Sequence, residues 1–107
     1  MPYIKKDNHI KVEVFEGVTR ITLACGKDIL LARFEYKKGS RVPPHSHAYE
    51  QVTHVLKGKQ RIIIMMEDKR EDFIVEEGDS YIVPANHDHE QITLEEAITI
   101  DSWSLAI

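Results

Sequence analysis

The stretch Gly39-Ser40-Arg41-Val42-Pro43-Pro44-His45-Ser46-His47-Ala48-Tyr49-Glu50-Gln51 places two histidines one residue apart behind a pair of prolines. Pro43 and Pro44 hold the chain extended and keep it out of a helix. On an extended chain, residues i and i+2 share a face at a spacing of about 6.6 Å. His45, His47, Tyr49, Gln51 and Thr53 therefore share one parity. A second pair, His87 and His89, follows further along the chain, with Gln91 and Thr93 on its parity. Four of the six histidines fall in these two clusters, each followed by strand-like sequence. Imidazole is the commonest side-chain metal ligand. A cation held between two hairpins can take His45 and His47 from one side and His89 from the other. Parity favours Gln51 over Glu50 as a fourth donor, unless a bulge reverses the face.

Outward from this stretch, the chain reads as strands and turns with no convincing helix. Ile10, Val12 and Val14 alternate along 9–15, and 18–25 does the same less cleanly. Over 29–37, Leu30, Ala32, Phe34 and Tyr36 take one face while Arg33, Glu35 and Lys37 take the other. This is the pattern of half-buried strands. Further strands are expected over 51–56, 60–67, 72–75, 80–83, 89–94 and 97–105. Gly and Asp mark turns at Lys38-Gly39, Lys57-Gly58-Lys59, Glu67-Asp68-Lys69 and Glu77-Gly78-Asp79. Many short strands with regular turns indicate a β-sandwich or barrel. No linker or repeat divides the chain, so residues 1–107 are expected to form one domain.

Composition narrows the function classes. A formal charge of −4 with no basic cluster argues against a nucleic-acid or anionic-membrane surface. The amino-terminal residues lack the apolar stretch of a signal peptide, and no apolar run approaches the roughly 20 residues of a membrane span. The expected location is the cytoplasm. Cys25 is the single cysteine, which excludes an intrachain disulfide framework, and it is expected to be a small buried hydrophobe. Ile62, Ile63, Ile64, Met65 and Met66 are apolar on both strand faces. Such a strand needs a second layer or a partner chain, and a homodimer would also protect the edges of a small sheet.

Gly39-x5-His45-x-His47-x3-Gln51-x6-Gly58 resembles the first conserved motif of the cupins, and Gly78-x5-Pro84-x-Asn86-x2-His89-x3-Thr93 resembles the second. The first motif normally has Glu where this chain has Gln51. The second normally has Gly and Asn where this chain has Asn86 and Thr93. The resemblance implies an all-β fold, the jelly-roll barrel or double-stranded β-helix of the cupins, often dimeric. It also implies one divalent transition metal per chain, whether Fe, Mn, Ni, Co, Zn or Cu, on His45, His47, Gln51 and His89. Asn86 tolerates the positive φ of the turn glycine it replaces. Gln51 has a larger consequence: three imidazoles and an amide leave a dication uncompensated, which favours an anionic ligand.

Glutamine at this position also resembles small cupins that linearise unsaturated uronates in pectin degradation. Their cavity Asp-x-Phe is matched in part by Asp101-Ser102-Trp103. Their following arginine, which holds the sugar carboxylate, has no counterpart, because no Arg or Lys follows Arg70. Arg33, Arg41 and Arg61 are the candidates to replace it. His87 is expected at the cavity mouth and His54 on the outer face. Asp101 and His87 are the acid–base candidates. The functional expectation is a metal-binding cupin that isomerises or hydrates a small anionic or carbonyl-bearing metabolite of sugar-acid type. Two alternatives are a non-enzymatic metal-dependent sensor or binding module and a cupin dioxygenase.

Overall fold

The computed structural model describes residues 2–104. It contains eight strands: β1 (Ile10–Phe15), β2 (Val18–Cys25), β3 (Ile29–Tyr36), β4 (Arg41–His45), β5 (Gln51–Met65), β6 (Arg70–Glu76), β7 (Ser80–Val83) and β8 (His89–Ser104). A single 3-10 turn over Lys6–Asn8 is the one helical element among the described residues, and no helix is long and apolar enough to cross a membrane. Every strand pairing is antiparallel.

Two long strands organise the rest. The amino-terminal half of β5 and the carboxy-terminal half of β8 pair with each other. They carry β7 on one side and β3, then β2 and β1, on the other. The other halves of β5 and β8 also pair, flanked by β6 and β4. Each long strand thus serves both half-sheets, as a jelly roll requires. The sequence pattern places breaks at Lys57-Gly58-Lys59 and at Glu95-Glu96, where the structure has continuous strands that bend. Gly58 makes the bend in β5 possible. Its φ is +90°, and a Cβ there would lie 2.1 Å from the Glu96 carbonyl oxygen and 2.6 Å from the Ala97 Cα.

The bend also changes which residues face inward. Gln51, Thr53 and Val55 are buried before it, and Gln60, Ile62 and Ile64 after it. The β5–β8 register shifts between Val55 and Gln60 absorb that change of parity. Ile62 and Ile64 pack with Val55, Val75, Tyr81 and Val83. A second cluster joins Val18, Tyr36, Val42 and Ala97. Ile63, on the opposite face from Ile62, is also buried within the single chain, whereas Met65 is 49% exposed.

One further segment and one residue depart from the sequence pattern. The segment Arg41–His45 is a short strand rather than merely an extended approach, paired with β8 alone. Its ladder is irregular between Val42 and His45, where Pro43 and Pro44 have no N–H to donate. Cys25, expected in the core, is exposed at the end of β2. The alternation of 18–25 frays there, and the β2–β3 register shifts between Thr22 and Ala24. Leu105, assigned from sequence to the last strand, lies outside the described residues.

Candidate metal centre

Strand register builds the histidine cluster. In the β4–β8 ladder His45 stands directly opposite His89, with ring centroids 4.2 Å apart. His47 lies two residues beyond β4, its ring 4.7 Å from that of His89. A backbone bond pins this loop, because the N–H of Asn86 donates to the carbonyl of His47 at 2.8 Å. Asn86 has φ 64°, the left-handed conformation anticipated for the residue at this turn. The ligand-capable nitrogens of His45, His47 and His89 all lie within 4.8 Å of one another.

The tautomers follow from their partners. Nδ1 of His45 is 3.0 Å from the Pro43 carbonyl, Nδ1 of His47 is 2.9 Å from the Tyr49 carbonyl, and Nδ1 of His89 is 3.0 Å from the His87 carbonyl. A carbonyl oxygen can only accept, so each Nδ1 carries a proton, and Nε2 is the nitrogen left to present a lone pair in the neutral ring. This backbone locking is the usual support of metal-binding imidazoles. The Nε2 atoms of His47 and His89 are buried and have no hydrogen-bond partner. Burial, reinforced by the neighbouring His45 and His47, lowers the pKa of His89 to about 4, which keeps its ring neutral. Three convergent imidazoles, two of them with orphaned Nε2 atoms, fit a divalent cation.

Gln51 lines the same cavity, whereas Glu50 is exposed and stands outside the cluster. The Gln51 amide has a defined orientation. Its Nε2 donates to Asp101 Oδ2 at 2.9 Å and to Thr53 Oγ1 at 3.0 Å. An ionised carboxylate has nothing to donate, so the amide nitrogen must face Asp101, which leaves Oε1 as the end available to a cation. Asp101 is 1% exposed. It also accepts from Thr99 Oγ1 at 2.6 Å and Thr53 Oγ1 at 2.8 Å. Burial raises its pKa to about 6 against these three stabilising bonds.

His87 and His54 complete the histidine assignments. His87 does not line the cavity or join the cluster. Its Nδ1 donates to the Ala85 carbonyl at 2.8 Å, and its own carbonyl oxygen orients His89. The sequence parity of His87 with His89 therefore does not bring it into the cluster. His54 is on the outer face as expected, with Nδ1 2.7 Å from Ser80 Oγ.

The arginine expectation is overturned. Arg33 pairs with Glu35 at 3.2 Å, Arg41 with Glu90 at 2.7 Å and Arg61 with Asp72 at 2.6 Å, and none of the three lines the cavity. The cavity arginine is Arg20 of β2. Its parity with the fully buried Val18 was the available signal. The apolar Ile21 beside it argued for the opposite face. Tyr49 also lines the cavity, with its ring stacked on His47 at 4.0 Å and on Trp103 at 5.7 Å. Burial raises the pKa of Tyr49, and the nearby Arg20 charge opposes the rise.

The family model for the cupin domain, Cupin_2, matches residues 32–100. The chain belongs to the cupin family. This cupin is 28% identical over 94 residues to the pectin degradation protein KdgF of Dickeya dadantii (strain 3937), an alignment covering 86% of this chain and 82% of that protein. Its fold matches an RmlC-like cupin from Shewanella frigidimarina NCIMB 400 with a TM-score of 0.86 at 22% identity, over 99% of this chain and 92% of that one. The oxalate decarboxylase of Bacillus subtilis, which has Mn(II) centres, matches with a TM-score of 0.84 at 17% identity, over 94% of this chain and 28% of that one. The two structural likenesses establish the jelly-roll fold.

Proposed function

We propose that this cupin holds one divalent transition metal on His45, His47, His89 and Gln51 and isomerises or hydrates a small anionic or carbonyl-bearing metabolite. The observation that carries this reading is the convergence of backbone-locked imidazoles whose Nε2 atoms share one small space. Bound there, a divalent ion would supply a Lewis acid able to polarise a carbonyl or hydroxyl oxygen. Thr53, Thr99 and Gln51 hold Asp101, which in turn fixes the Gln51 amide. Asp101 is also the one carboxylate lining the cavity among the described residues, which makes it the candidate for proton transfer. The likeness to a pectin degradation protein supports a sugar-acid type of metabolite.

Metal analysis of protein purified without added metal tests the first half. About one ion per chain is expected, and His47→Ala should lose it while keeping the far-ultraviolet circular dichroism of the parent. A chain that takes up no metal ends the proposal. For the second half, metal-loaded protein is incubated with unsaturated uronates and other small sugar acids and followed by NMR. Turnover that disappears in His47→Ala is the expected result. Absence of turnover across such a panel removes the enzymatic reading.

A further inference from the structure

Five buried side-chain polar atoms have no hydrogen-bond partner among the described residues, and four of them line the metal cavity: Arg20 Nε, His47 Nε2, His89 Nε2 and Gln91 Oε1. Buried polar atoms in native folds nearly always find partners, so this concentration in one cavity calls for a ligand. The two histidine nitrogens belong to the metal reading. Arg20 and Gln91 do not, and they differ in chemistry. One is a cationic donor, the other a neutral acceptor.

Arg20 is set apart from every other arginine. The chain has five. Arg33, Arg41, Arg61 and Arg70 each stand in an ion pair with Glu35, Glu90, Asp72 and Asp72 respectively, whereas Arg20 has no ion pair among the described residues. A partly buried guanidinium without a counter-charge is costly, and an anion entering the cavity would relieve that cost. Gln91 is fixed from behind, its Nε2 donating to Tyr81 Oη at 3.2 Å, so its Oε1 is the end left for a hydroxyl. The cavity is about 230 Å³, below the usual range for drug-sized ligands, which suits a compact molecule.

We propose that Arg20 and Gln91 form the recognition half of this cavity, with Arg20 taking the carboxylate of a small hydroxy acid and Gln91 accepting a hydroxyl from it. The carboxylate is then held by the protein, and a hydroxyl or carbonyl oxygen is left to face the histidines. This orientation rests on the metal reading above, but the pairing with Arg20 does not.

The test is titration calorimetry of the Zn²⁺-loaded chain with threonate and with its uncharged amide, threonamide. Wild type should bind the acid more tightly by ten- to a hundredfold, as expected for one charge-assisted contact. Arg20→Met keeps the apolar stem and should abolish that preference while retaining metal and unfolding midpoint. Arg20→Lys should restore part of it. Gln91→Leu should weaken acid and amide by the same factor, since both carry the hydroxyls. An acid preference that persists in Arg20→Met means that the metal takes the carboxylate and overturns the proposal. So does a wild type that does not distinguish the probes or binds neither. Wild-type protein that takes up no zinc but still prefers the acid through Arg20 would remove the metal reading and leave the Arg20 assignment standing.

Discussion

Asp101 and His89 carry opposite electrostatic consequences of the same burial. Burial raises the carboxyl of Asp101 to about 6 and lowers the imidazole of His89 to about 4. Between pH 3.8 and 6 the folded chain holds a proton on Asp101 that the unfolded chain has released, so this residue makes stability fall as pH rises. Between pH 4 and 6.5 the unfolded chain holds a proton on His89 that the folded chain excludes, so His89 makes stability rise with pH. The two slopes oppose each other in metal-free protein. Asp101→Asn removes only the first, worth on the order of 3 kcal/mol for a shift of this size. In chelator-treated protein, the urea midpoint of that variant is expected to climb from pH 4.5 to 6.5 while wild type stays flatter. Parallel profiles would show that Asp101 does not titrate in this window. At this scale the placing of His45, His47, Gln51 and His89 around one cavity was legible from residue type at fixed spacing, and that of Asp101 from its resemblance to a cavity Asp-x-Phe pattern. Arg20 was not, because its parity with Val18 competed with the apolar Ile21 next to it.

The elements are decided by alternation up to the point where alternation changes phase. Period-two patterning locates most strand segments, but it divides β5 and β8 at turn-like residues that are in fact bends in continuous strands. Gly58 looks like a hairpin turn in sequence. In the fold it is the corner at which β5 passes from one half-sheet to the other, and its missing Cβ admits the backbone of β8. Gly58→Ala combines a positive φ with contact against fixed backbone atoms. It is expected to destabilise by about 3 kcal/mol or more, read as a lower urea midpoint at unchanged m-value. A variant as stable as wild type would mean that the corner relaxes freely. The same bend explains Ile62 to Ile64. Once β5 serves the second half-sheet, Ile62 and Ile64 enter the core while Ile63 is buried on the other side.

The whole molecule leaves an apolar outer face where β5 and β7 pair: Val52 is 45% exposed and its register partner Ile82 is 58% exposed. They flank a groove that also includes Ile100. A homodimer of the kind anticipated from sequence for the Ile62–Met66 segment would also be able to cover this face with a second copy of the chain. Sedimentation velocity should show a dimer that Ile82→Glu converts to monomer without loss of metal. A wild type that sediments as a monomer at tens of micromolar would remove this expectation. Residue type, spacing and alternation were sufficient by themselves to determine the all-β class and to bring the histidines onto shared faces, because strand geometry converts sequence parity directly into a shared face; the jelly roll came from the resemblance of the two motifs to those of the cupins. Tertiary structure decided that Arg20 reaches the cavity, that Cys25 is exposed and that β5 and β8 run through their bends. Those outcomes depend on bulges, turns and packing between strands distant in sequence, and a local period of two does not decide them.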